Sequence, residues 1–87
     1  MEFKLFIGID ISKLTFDVCV IDLKGSTIGT NKFDNTVSGF KLFKGWIKEI
    51  DAEKDSLFCL EHTGVYSMPI CVYFEKNGIK YSLQSGL

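Results

Sequence analysis

The chain has 87 residues; 46% are hydrophobic, 14% aromatic and 24% charged, and ten lysines against eleven acids leave a formal net charge of −1. That length holds one small domain with a single core, which excludes a multi-step enzyme carrying its own substrate domain, and the apolar content excludes a disordered chain. Near-neutral charge without a single arginine argues against a free-standing nucleic-acid module, whose affinity comes from neutralising phosphates, but leaves open a site that holds phosphate through metal ions.

The elements follow in order. Phe3 to Asp10 is a short apolar run that predicts a largely buried strand. Thr15 to Asp22, rich in β-branched and aromatic residues, predicts a second strand, Lys24-Gly25-Ser26 a hairpin turn, and Thr27 to Phe33 a third strand. Short connections make these three an antiparallel meander. The period then changes. Val37, Phe40, Phe43, Ile47 and Ile50 recur at steps of three and four, with Lys41, Lys44 and Lys48 on the other side. This predicts an amphipathic helix with Asn35 or Thr36 as N-cap and a solvated lysine face. Leu57 to Leu60, ending in Glu61, reads as a buried central strand. Thr63-Gly64 opens a second helix whose core face is Ile70, Tyr73 and Phe74. Pro69 lies in its first turn or marks a late start, and Asn77-Gly78 stops it. Ile79, Tyr81 and Leu83 alternate as a fifth strand. The order is β-β-β-α-β-α-β.

Cys19, Cys59 and Cys71 are odd in number, widely spaced and set in apolar runs, which reads as buried reduced thiols. The N-terminus lacks a signal peptide's apolar core, and no apolar run approaches the roughly 18–20 residues of a membrane span. The expectation is a cytoplasmic protein with no membrane partner.

The strand-helix-strand crossovers need parallel neighbours, and the strongest arrangement sets the fourth strand beside the first. Asp10 and Glu61 then occupy equivalent places at the carboxyl ends of central strands, the edge where open α/β sheets bind ligands. By alternation Asp10 shares a face with Gly8 and Phe6, and Glu61 with Cys59 and Leu57. Two carboxylates there need a cation if both are ionised, and hard oxygen donors suit Mg²⁺ or Mn²⁺ in phosphoryl-transfer chemistry. Two solvated strand-end acids give the same spacing.

Longer motifs sharpen this. Ile7-Gly8-Ile9-Asp10-Ile11-Ser12-Lys13, followed by Phe16-Asp17-Val18, resembles the opening of the DEDD transposases, the insertion-sequence family that includes the pilin-type DNA invertases. Glu61-His62-Thr63-Gly64-Val65-Tyr66 is similar to the family's second motif, usually Glu-Ala-Thr-Gly-x-Tyr, and Phe33-x-Asn35, Gly39 and Trp46-Ile47 fit between them. The resemblance covers nearly the whole chain. It implies a RuvC-like, RNase H-like α/β domain in which Asp10 and Glu61 are the first two catalytic, metal-binding acids. The family's other two acids lie in a later Asp-x-x-Asp segment, and its nucleophilic serine in a C-terminal domain. Neither has a match in these residues, so residues 1–87 are expected to be the N-terminal portion of the catalytic domain. By the same resemblance the full-length protein cuts and rejoins DNA at transposon ends or junctions with Mg²⁺ or Mn²⁺, and guide RNA and self-association join DNA among its expected partners. The piece alone is expected to be inactive.

His62 replaces the usual alanine, and alternation points it to the opposite side of the strand from Glu61. Thr63 reads as a helix cap and Gly64 as a tight turn. Asp17 reads as structural or paired, and Trp46 and the phenylalanines as core. Ser12 and Lys13 shape the turn or approach a phosphate, and Tyr66 contacts substrate or packs. Two other readings stay open. Gly-Ile-Asp before a hairpin also opens the actin-like sugar-kinase and ATPase fold, although the Ile11-Ser12-Lys13 turn lacks that fold's glycine. A non-catalytic assembly module that pairs through an exposed fifth strand is the other.

Overall fold

The computed structural model describes residues 3–61 and 64–84. The expected order holds: β1 Leu5–Ile11, β2 Thr15–Asp22, β3 Thr27–Asp34, α1 Val37–Glu49, β4 Ser56–Glu61, α2 Met68–Lys76 and β5 Tyr81–Gln84, with a 3₁₀ turn at Gly64–Ser67 before α2. The five strands form one mixed sheet in the order β3-β2-β1-β4-β5. β1–β2 and β2–β3 are antiparallel; β1–β4 and β4–β5 are parallel.

Topology decides which face is covered. The crossovers β3-α1-β4 and β4-α2-β5 both run in the same direction along the sheet, and right-handed connections therefore place both helices on the same face. Ile7, Ile9, Ile11, Phe16, Val18 and Val20 point to that face and are buried against Phe40, Phe43, Ile47, Ile70 and Phe74 from the helices. An aromatic chain runs through the layer: Phe16–Phe43 at 5.4 Å, Phe43–Phe58 at 6.1 Å, Phe58–Phe74 at 5.6 Å and Phe74–Tyr81 at 5.4 Å. These spacings fit tilted and edge-on aromatic contacts.

Local chemistry sets the element ends. The Asp22 carboxylate accepts from the Lys24 and Ser26 backbone N–H groups at 2.9 Å each, and Gly25 takes φ +83 in the β2–β3 turn. Thr36 is the N-cap of α1 and accepts from the Gly39 N–H at 3.1 Å. A Cβ on Gly39 would overlap the Asp34 carbonyl oxygen, so glycine lets the helix start hard against β3. Pro69 marks the late start, with α2 beginning at Met68, and Gly78 ends the helix at φ +66.

Two expectations fail. Val37 is 58% exposed, because α1 turns its Phe40, Phe43 and Ile47 stripe to the sheet and leaves its first residue outside it. The cysteines are free but not buried: Cys19 is exposed, and Cys59 and Cys71 are half-buried. Cys19 and Cys59 belong to the sheet face that the helices do not cover. The lysine face of α1 is exposed as expected, and no helix among the described residues is long and apolar enough to cross a membrane.

Candidate active site

The β1–β4 ladder pairs Gly8 with Cys59 and Ile9 with Leu60. Ile9 and Leu60 are buried on the helix side. The next residue of each strand is an acid, and alternation turns both acids to the opposite, uncovered face. Asp10 and Glu61 are exposed and line one trough there, about 850 Å³ in volume, with Gly8, Cys19, Cys59 and Asp17. Adjacent strands lie roughly 4.8 Å apart, so the two backbones are immediate neighbours. The sequence places both acids correctly: ends of adjacent parallel central strands, one face, one trough.

The structure adds a third carboxylate. Asp17 is the direct register partner of Asp10 across the antiparallel β1–β2 pair. Its own partner on the next strand is Lys32, whose Nζ lies 3.6 Å from Asp17 Oδ1, with the side chains 63% and 59% exposed. The pairing role expected for Asp17 is therefore observed. The site reads Lys32, Asp17, Asp10, Glu61 across four strands, one cation beside three acids. Alternation within single strands did not reveal the Asp10–Asp17 juxtaposition. The signal that finds it is the three-residue turn at 12–14, which fixes the register of the hairpin.

Ser12 and Lys13 stand in that turn, and Ser12 serves its geometry: its N–H and its Oγ both donate to the Thr15 carbonyl oxygen, at 2.8 and 2.9 Å. Gly64 adopts φ +69 where the chain leaves β4, as its expected tight turn requires, and the Tyr66 carbonyl accepts a hydrogen bond from Asn35 while its side chain is partly exposed. His62 and Thr63 lie outside the described residues, so their expected orientation and capping role are not part of this geometry. Burial pushes the Cys59 thiol above its ordinary pKa, so this trough residue stays protonated near neutrality.

Carboxylate oxygens are the donors that Mg²⁺ and Mn²⁺ take, and Mg²⁺ is commonly held by one or two carboxylates plus water and substrate phosphate. Asp10 and Glu61 fit that role. Among the described residues no group of three His, Cys, Asp or Glu side chains comes together as a metal-holding cluster.

The family comparison places the whole chain in a known class. A family model described as transposase, the DEDD type of the IS110 group, matches residues 7–87. The chain belongs to this transposase family. No curated protein matches it. Among solved structures it is similar in fold to the Aquifex aeolicus PPX-GPPA enzyme, at TM-score 0.56 and 11% identity over 93% of this chain and 36% of that one. It is likewise similar to the type II variant of the Aquifex aeolicus Ppx/GppA phosphatase, at TM-score 0.57 and 11% identity over 97% and 36%. A further Aquifex aeolicus Ppx/GppA family member gives TM-score 0.54 and 11% identity over 94% and 35%. The chain thus spans about a third of the length of these structures, and at such identity the likeness concerns the fold alone.

Proposed function

We propose that residues 1–87 form the N-terminal portion of an RNase H-like, RuvC-like catalytic domain of a DNA transposase, with Asp10 and Glu61 as its first two metal-binding acids. The observation that carries the reading is the parallel Ile9–Leu60 register, which sets the acids of the two family motifs side by side on one face. Asp10 and Glu61 would hold a divalent metal, which would supply charge stabilisation for phosphoryl-transfer chemistry there. The residues' own part is to hold oxygen donors at the edge of a rigid sheet, on strands whose other faces are locked in the core. DNA, as transposon ends or junctions, is the substrate of the full-length protein. Guide RNA and self-association remain partners proposed on family resemblance.

With two acids of a four-acid site, the chain binds Mg²⁺ or Mn²⁺ weakly and does not cut DNA by itself. Incubation of the purified chain with branched and junction DNA in Mg²⁺ is the test. No cleavage is expected; specific cleavage that disappears in Asp10→Asn overturns the two-acid account.

The fold neighbours favour a second reading, an actin-like nucleotide-binding fragment. The connection after Asp10 speaks against it, because Ser12 closes a tight turn without the glycine that a phosphate-gripping loop requires. Nucleotide-dependent thermal stabilisation is the result that favours this alternative.

A further inference from the structure

The ladder between β1 and β4 ends at Ile9–Leu60. Each acid is still paired on its outer side, Asp10 with Asp17 and Glu61 with Gln84. Among the described residues, therefore, Ile9–Leu60 is the last ladder pair between the β3-β2-β1 half of the sheet and the β4-β5 half, one position before the acids. The Ile9–Leu60 register sets the acids side by side, and whatever spans the seam just beyond it adds to holding the two strand ends there.

Asn35, in the connection from β3 to α1, spans it. Its backbone N–H donates to the Leu14 carbonyl at 2.8 Å. Its side-chain Nδ2 donates to the Ser12 carbonyl at 3.1 Å and to the Tyr66 carbonyl at 3.0 Å. Ser12 follows Asp10 by two positions, and Tyr66 follows Glu61 by five. One nitrogen thus joins the chain leaving β1 to the chain leaving β4. Two converging carbonyls need two N–H donors from one short, planar group, and a carboxamide supplies them. Because both partners are acceptors, the amide orientation is fixed. Among the described residues the buried Oδ1 has no donor.

We propose that Asn35 is a positioning residue that fixes the Asp10 strand end against the Glu61 strand end; this rests on the reading of that pair as a metal site. The clamp acts where the ladder no longer does, so its loss changes the acid-to-acid geometry before it changes the core.

The test uses the 87-residue chain, Mn²⁺ as probe, and the variants Asn35→Ala and Thr36→Ala. The second removes the neighbouring N-cap and is a destabilised control with the clamp intact. In Asn35→Ala, amide exchange in residues 12–15 and 65–67 is expected to rise together by at least tenfold, and Mn²⁺ affinity to fall at least fivefold at a temperature where the chain is fully folded. Thr36→Ala moves neither. Exchange rising in only one segment, or in neither, overturns the clamp. Exchange rising in both with wild-type Mn²⁺ affinity overturns the positioning role. A wild-type chain that binds no Mn²⁺ at Asp10 and Glu61 overturns the metal-site reading and the positioning role together, while the exchange data still decide the clamp. Should Asn35→Ala not fold, Asn35→Ser, which keeps one donor, is expected to loosen the two segments to a smaller extent, and unchanged exchange there overturns the clamp.

Discussion

Asp10 and Asp17 face each other as register partners across the β1–β2 hairpin, on the same side of the sheet as Glu61. Like charges directly opposite in an antiparallel pair are destabilising, and Lys32 answers only the outer acid. Three acids beside one lysine leave this face with net negative charge, which favours a cation there.

Asp10→Asn is therefore expected to stabilise the metal-free chain. The relief is about 0.2–1 kcal/mol, which for a domain of this size raises Tm by a few degrees. Scanning calorimetry in chelator checks it. Added Mg²⁺ should raise the Tm of the wild-type chain and leave that of Asp10→Asn unchanged, since a ligand that binds the folded state stabilises it.

Lys32→Ala removes the partner of Asp17. Both groups are more than half exposed at 3.6 Å, so the stability cost is small, about 0.5 kcal/mol or less, and fades with added salt. Urea denaturation at low and high ionic strength measures this. A large, salt-independent loss would mean the pair is more than a surface contact.

Two glycines of α1 are expected to respond in opposite ways. Gly39→Ala drives a Cβ into the Asp34 carbonyl, a backbone group that cannot step aside, and should cost about 3 kcal/mol or more. Gly45 is exposed mid-helix with open space around its Cβ position. Gly45→Ala should stabilise by about 0.5–1 kcal/mol. Equilibrium denaturation of the pair decides both.

Cys59 shares the trough with Glu61, and its thiol is pushed up by burial. A raised thiol pKa means the folded state holds its proton more tightly than the unfolded chain. The associated stability is present below the ordinary thiol value and is lost as pH rises through the folded one. Because the thiolate is the nucleophile, Cys59 should alkylate more slowly than exposed Cys19 at neutral pH, with its rate rising at higher pH than a free thiol's. Mass spectrometry of partially alkylated protein measures the order.

Much of this was legible in the sequence. The spacing of Phe40, Phe43 and Ile47 names the helix's share of the core directly, because the element's period marks its buried face. Asp10 and Glu61 were legible because an acid ending an apolar run marks the carboxyl end of a strand. Single-strand patterns do not say which sheet face the helices cover, so an apolar run suggests burial for Cys19 although it lies on the open side. Local sequence offers Asn35 only as a candidate cap, a place that Thr36 takes. Its partners lie 23 and 31 residues away, and a bond across a seam between sheet halves leaves no local pattern.

The most direct test of the paired acids is Mn²⁺-induced relaxation mapped by NMR on the 87-residue chain. Broadening should be centred on residues 8–10, 17 and 59–61 and should vanish in both Asp10→Asn and Glu61→Gln. Broadening centred elsewhere, or persisting unchanged in both variants, would contradict the assignment of Asp10 and Glu61 as one metal site.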